Sequence, residues 1–372
     1  MQSEFPGTQC PITSTKTVGD VKLGQSLAVL AAATPGLFTK ELEVALAKSA
    51  CDLVVHSLKD VPTTLPDGLA IVCVPPREDP TDSLVLAKRH SKLEACASES
   101  GFVSLLNALP AGSVVGTSSI RRAALLGRLA PHLTIKDVRG NLNSRIAKLD
   151  LPEDDHKAAG TQYYDALVLA TAGLVRLGWQ ERISETFDSA NFGYGVSQGA
   201  LGLEMRSDMS TDAQKQLFGM LKAIQDPPSA ARCAAERGLL RSLRGGCQVP
   251  LAVSSEVKTA TDGVYLCLNA SVLSLDGAEM VQGASKCSIN LQACSPQLPA
   301  LTPSLVETGL LVASGSNGAG DVHYIEQALA LGDSLAKQLL ENGAAKLLPG
   351  FDQDERPATY GSAELAGVPD RS

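Results

Sequence analysis

The feature that most restricts how this chain can fold is the alternation, over its first two hundred residues, of short apolar runs with amphipathic patterns. The runs at 52–57, 69–74, 113–116, 133–138 and 166–170 have strand length. Between them, apolar residues spaced three and four apart predict helices at 39–49, 119–129, 142–149 and 173–177. Strand, helix, strand in that order is a βαβ unit, whose crossover brings the second strand back parallel to the first. The expected fold class is therefore α/β with a largely parallel sheet.

After Ser197-Gln198-Gly199-Ala200 an amphipathic segment runs to about 224, and Asp226-Pro227-Pro228 reads as a linker. Beyond it come an Ala- and Arg-rich helix at 230–243, a Gly-Gly loop, alternating strands at 249–254 and 264–272, and a helix at 324–340. That order suggests α+β. The Ser-, Pro- and Gly-rich stretch 291–320 reads as a surface insertion, and 349–372, with no apolar period, as a disordered tail. The expected domains are 1–108 with 198–224 as one lobe, 109–197 as a second, and 229–348 as a C-terminal domain.

Composition removes several function classes. No apolar run reaches the roughly 18 residues of a membrane span, so no membrane partner is expected. The first residues lack the basic start and apolar run of a secretory signal, which makes the cytoplasm the default compartment. A net charge of -8 argues against a nucleic-acid surface, so any anion site must be local. Nine cysteines without a CxxC pair, and five scattered histidines, offer neither a disulfide framework nor metal-ligand spacing.

Four motifs carry chemistry. In Val54-Val55-His56-Ser57-Leu58-Lys59-Asp60-Val61-Pro62, Lys59 and Asp60 fall just past a strand's C-terminal end, where open parallel sheets bind ligands. An isolated Lys-Asp pair is more often a solvated turn. In Gly116-Thr117-Ser118-Ser119-Ile120-Arg121-Arg122, Ser118 or Ser119 can cap a helix whose first turn then holds two arginines. The helix dipole already places about half a positive charge there, so the arrangement asks for an anion. Arg139-Gly140-Asn141-Leu142-Asn143-Ser144-Arg145 repeats it, and Arg176 stands at a third strand-to-helix junction. Residues 113–150 hold five Arg and two Lys against two Asp. A solvated basic face is the plain alternative, but such faces usually mix Lys with Glu. Ser197-Gln198-Gly199-Ala200-Leu201-Gly202 lacks a P-loop lysine and reads as a hinge. Finally, Arg244-Gly245-Gly246-Cys247-Gln248 exposes a cysteine on a glycine loop, where Arg241 and Arg244 favour its thiolate. Against that stands the usual inert, half-buried cysteine.

Taken together, HSLKDVPT, GTSSIRRAALL, DVRGNLNSRIAKLD, LATAGLVRLG, SQGALGLEMR and AERGLLRSLRGGCQVPLA resemble the porphobilinogen deaminase family, in its order, from about Pro6 to about Asn269. The resemblance implies two α/β lobes like those of bilobal solute-binding proteins, with two chain crossings, plus a C-terminal α+β domain. It implies a monomeric transferase that condenses four porphobilinogen molecules, releasing ammonia, to give hydroxymethylbilane for heme and other tetrapyrroles. Cys247 would carry a dipyrromethane cofactor through a thioether, Asp60 would be the catalytic carboxylate, and Ser57 and Lys59 would lie near the cofactor. Arg121, Arg122, Arg139, Arg145 and Arg176, with Ser119 and Gln198, would hold the acetate and propionate groups of porphobilinogen and of the growing oligopyrrole.

That chemistry agrees with the residues. Each pyrrole unit bears two carboxylates, so a growing chain needs many bidentate cations in one cleft. Positive charge builds on the pyrrole nitrogens during condensation, and one carboxylate at 4 Å is worth about 4 kcal/mol at an effective dielectric of 20, or roughly a thousandfold in rate. One departure stands out. The family opens with a strand and helix bearing an RxSxLA-like motif, whereas residues 6–20 here resemble its second strand, so the first βα unit is expected to be missing. An inactive truncated paralogue, or a non-catalytic bilobal anion-binding protein, are the competing readings. The second gives no role to Asp60 or Cys247.

Overall fold

The computed structural model describes residues 5–14, 39–98, 101–208, 210–244, 249–291 and 323–348. Cys247, the neighbouring Gly245, Gly246 and Gln248, nearly all of the expected insertion and the whole expected tail lie outside the described residues. Among those described, the chain begins with α1 (Lys40–Ala47), β1 (Val54–Ser57) and β2 (Leu69–Cys73). It continues through β3 (Asp82–Leu86), β4 (Cys96–Ala97), β5 (Val103–Ser104), β6 (Val114–Gly116), α2 (Ile120–Leu129) and β7 (Thr134–Lys136). Then come α3 (Leu142–Asp150), α4 (Glu153–Ala159), β8 (Ala166–Ala170), α5 (Thr171–Arg176), β9 (Glu185–Thr186), β10 (Leu201–Arg206) and α6 (Asp212–Ala223). The last elements are α7 (Pro227–Ser242), β11 (Leu251–Ala260), β12 (Gly263–Leu273), β13 (Met280–Ser288) and α8 (His323–Glu341).

The protein is a mixed α/β molecule built on three main sheets. The first has the order β1-β10-β2, the second β7-β6-β8-β3-β9, and the third is the meander β11-β12-β13. The expectation of a largely parallel sheet needs correction. Among the described residues parallel pairing is confined to β6 with β7 and β8, whereas β10 runs antiparallel to β1 and β2, and β3 runs antiparallel to β8 and β9. The reason is topological. β3 and β10 are the strands that enter just after the chain passes from one sheet to the other, with no crossover helix to reverse their direction. Asp82–Leu86, within the segment expected to belong to the first lobe, pairs in the second sheet.

Element boundaries moved for local reasons. The segment expected to be amphipathic up to 224 is a buried strand, β10, followed by α6 with a Thr211–Gln214 capping box. The Asp226-Pro227-Pro228 linker is instead the start of α7, with Asp226 accepting from the Ser229 N–H at 2.9 Å and proline in the first turn, where a missing N–H costs nothing. α5 begins at Thr171 rather than 173, and no side chain caps it. The N-cap position is Ala170, which has no side-chain acceptor, so the sequence carried no start signal there.

All five residues of β2 are buried, as a continuous apolar run in a covered sheet should be, and all five of β3 are buried too, although it opens with Asp82 and Ser83. The two faces of the second sheet pack separate cores, one on Leu84, Val115 and Leu126, the other on Val85, Leu167 and Leu174. One further core joins the first sheet to α6, α7, α8 and the third sheet, through Leu58, Ile71, Phe218, Leu239, Leu268 and Leu335. Fully burying each such side chain contributes about 1.5–3 kcal/mol. α7 and α8 cross at backbone contact: a Cβ at Gly332 would collide with the Ala235 carbonyl, and one at Gly238 would stand 2.9 Å from the Leu329 carbonyl oxygen. Only glycine permits that approach.

Candidate functional site

Where the first sheet meets the second, a cavity of about 270 Å³ opens. Ser57, the last residue of β1, and Lys59 form one wall; Arg122 of α2, Arg145 of α3 and Arg176 of α5 reach in from the other side. Gly199 and Ala200, from the crossing segment before β10, close the back. Among the described residues the lining holds four cations and no carboxylate. The location follows from topology, since the cavity lies outside the ends of β1 and β8 and beside the N-termini of α3 and α5.

Asp60 ends a one-turn 3-10 helix, Leu58–Asp60, adjacent to the lining residue Lys59. Leu58 is fully buried, and its N–H donates to the Ala200 carbonyl at 3.0 Å. Lys59, in the cavity lining, and Asp60 are both solvent-exposed, but the protein around them removes part of their water. That loss of water pushes the Asp60 carboxyl up, opposed by the nearby Lys59, His56 and Arg145 charges. It pushes Lys59 down, opposed by Asp60 and reinforced by Arg122 and Arg121.

The anion sought by the paired arginines of α2 is partly supplied by the protein itself. Asp82, at the head of β3, is fully buried and accepts from Arg122 Nε at 3.0 Å and Nη2 at 2.6 Å, while Arg121 Nη1 stands 2.7 Å from its second oxygen. Burial works to raise the Asp82 carboxyl, but the two guanidiniums outweigh it and hold it well below the usual carboxylate range. Arg121 also donates to the Gly193 carbonyl at 2.7 Å and does not line the cavity. Arg122 does both, donating to Asp82 and to the Val168 carbonyl while facing the space. Sequence reasoning missed Asp82. Its signal was an acid, followed by Ser83, at the head of the apolar run Leu84-Val85-Leu86.

The remaining expected residues divide. Arg145 lines the cavity, donates to the Gly140 carbonyl at 2.8 Å, and is lowered by burial and by the like charge of Arg122. Arg176 lines it too and donates to the Gly199 carbonyl at 2.8 Å. Arg139 lies outside the lining, 3.4 Å from Asp137. Ser119 is the N-cap of α2 and accepts from the Arg122 N–H. Gln198 is buried and clips the crossings together, donating to the carbonyls of Pro80 and Thr81 and to Asp82. Among the described residues no group of histidine, cysteine and acids could hold a metal ion, and no helix is long and apolar enough to cross a membrane.

Two family models match the chain: "Porphobilinogen deaminase, dipyromethane cofactor binding domain" over residues 1–214 and "Porphobilinogen deaminase, C-terminal domain" over residues 230–296. Among curated proteins, the chain is 44% identical over 282 residues to porphobilinogen deaminase of a Nostoc species, covering 76% of this chain and 77% of that one. It is 43% identical to that of Synechococcus elongatus over the same length, covering 76% and 78%. It is 37% identical over 327 residues to that of Schizosaccharomyces pombe, covering 87% of each.

Proposed function

Because the chain belongs to the porphobilinogen deaminase family, we propose that it condenses porphobilinogen, with release of ammonia, into hydroxymethylbilane, as a transferase of tetrapyrrole synthesis. The observation that carries this reading is the cavity whose described lining has four cationic side chains and no acidic one, in a chain whose net charge is -8. Such a lining suits a ligand dense in carboxylates.

The same lining fits a dipyrromethane, whose acetate and propionate groups would lie against Arg122, Arg145, Arg176 and Lys59, beside Ser57. When bound, that group supplies the terminal pyrrole carbon to which incoming units are joined. The chain's own residues do the rest. Guanidiniums hold carboxylates bidentately and so fix each ring's orientation, which a lysine ammonium cannot do. Asp60, held among surrounding cations and partly stripped of water, places a negative charge where pyrrole nitrogens become positive and can relay their protons. Asp82 and Gln198 hold the Arg122 guanidinium in place before any ligand arrives, so less order is lost on binding. We assign the thioether anchor to Cys247, the two lobes to the first and second sheets, and a monomeric, cytoplasmic state to the enzyme.

The experiment is intact mass and product formation with porphobilinogen. A mass increment of two pyrrole units, lost in Cys247→Ser, together with ammonia release and hydroxymethylbilane, is expected. Asp60→Asn should be the worse enzyme than Asp60→Glu by orders of magnitude, since it removes the charge at constant shape. Binding of porphobilinogen without ammonia release or adduct would favour the non-catalytic anion-binding protein.

A further inference from the structure

We propose that Arg237 is a positioning residue for Asp60, a grip through which α7 sets the carboxylate in the cleft. The inference rests on the reading of Asp60 given above and adds a residue from the C-terminal helix to that site.

Arg237 lies within α7 and is 3% exposed. Its Nη1 donates to the Val61 carbonyl at 3.0 Å and its Nη2 to the Pro62 carbonyl at 2.6 Å, the first two carbonyls after Asp60. The other end of the turn is pinned by the Leu58 N–H on the Ala200 carbonyl at 3.0 Å, and the turn closes through the Val61 N–H on the Leu58 carbonyl at 3.3 Å. No described side chain hydrogen-bonds the Asp60 carboxylate itself, so its direction is inherited from the backbone of residues 58–62. Whatever holds those five residues aims the carboxylate.

The chemistry of the grip argues for more than packing. Among the described residues no carboxylate lies within ion-pair distance of Arg237, so a guanidinium is buried on carbonyl oxygens alone. Burial pushes its pKa down to about 10, which leaves it charged at neutral pH. Burying a charge without a counter-ion is expensive, and an apolar side chain of similar volume would usually stabilise as well or better. What the guanidinium supplies instead is a fork that holds two successive carbonyls at fixed spacing. The preceding residue works in the same way on the crossings. Glu236 accepts from Arg77 Nη1 at 2.7 Å and from the Ser197 N–H at 2.7 Å, one partner on each crossing segment. Consecutive residues of one helix thus hold the hinge and the Asp60 turn, and a shift of α7 moves both.

The test uses the full cofactor-loaded chain with Arg237→Lys and Arg237→Gln, each also combined with Asp60→Glu. Turnover, KM for porphobilinogen, melting temperature and amide hydrogen exchange of residues 58–64 are measured. A carboxylate misplaced by about 1 Å loses up to roughly a hundredfold in rate, so kcat should fall about ten- to a hundredfold with KM within threefold. Exchange at residues 58–62 should accelerate at least tenfold, and the kcat loss should shrink to under about twofold in the Asp60→Glu background. Unchanged kcat, an equal loss in both backgrounds, or protected amides in a slowed enzyme each overturn the proposal. So does failure of even the lysine variant to fold, which would make Arg237 a structural tether. If Asp60→Asn alone keeps full turnover, it is the catalytic reading of Asp60 that fails, and the exchange result still reports on the grip.

Discussion

Arg122 donates two hydrogen bonds to a single oxygen of Asp82, from Nε at 3.0 Å and Nη2 at 2.6 Å, while still lining the cavity. One guanidinium is thus half structural and half available to a ligand. Asp82→Asn would remove the counter-charge of two buried arginines, and breaking such a buried pair typically costs about 3–5 kcal/mol. The variant should melt well below the parent and show a raised KM for porphobilinogen. A melting curve and KM matching the parent would mean that Asp82 does not set these arginines.

Arg145→Lys keeps a positive charge in the lining but loses the planar fork. Elongation should stall, with enzyme-bound oligopyrroles of intermediate length accumulating in mass spectra. Product formation at the parental rate without such species would mean that Arg145 is only a solvated cation.

Glu43, buried in α1 near Glu204 and His56, has its carboxyl raised from 4.5 to about 7, first by burial and then by the charge of Glu204. His56 and Glu204 form their own buried pair at 2.8 Å. The folded form therefore keeps a proton that the unfolded chain releases near pH 4.5. Stability from this group is full below that pH and is lost as pH rises through about 7, on the order of 3 kcal/mol in all. Glu43→Gln should flatten the unfolding free energy between pH 5 and 8 and exceed the parent at pH 8. Parallel pH profiles, measured by denaturant titration, would refute this.

Arg77 and Glu236 are paired through both carboxylate oxygens, at 2.7 and 3.0 Å, with both side chains almost fully buried. Glu236→Gln leaves Arg77 uncompensated and weakens the contact to Ser197 at the other crossing. A loss of about 3–5 kcal/mol is expected from the buried pair alone. Urea unfolding of the variant at neutral pH gives the number, and a change below about 1 kcal/mol would place the hinge's stability elsewhere.

Much of the site was legible because its signals are local. Ser119 and Asn141 cap α2 and α3 as their residue types require, and the arginines of those first turns lie at the second sheet's helix N-termini as read. Ser57, Lys59, Arg122, Arg145 and Arg176 converge on one cavity. Arg121 and Gln198 do not join them. Both are drawn inward by Asp82, a residue whose importance depends on partners far along the chain.

What the sequence by itself determined is the alternation of strand and helix, the caps, and the local excess of arginine, because each rests on the period or charge of a few adjacent residues. The tertiary structure alone decided that β3 and β10 run antiparallel to their neighbours, since strand direction depends on how the chain crosses between sheets. It alone decided which anion meets Arg121 and Arg122, and that Arg237 grips the backbone beyond Asp60. Those contacts join residues that no local pattern connects: α2 has to fold back on the second sheet before Arg121 and Arg122 meet Asp82, and α7 has to lie beside the turn after β1 before Arg237 reaches the Val61 and Pro62 carbonyls.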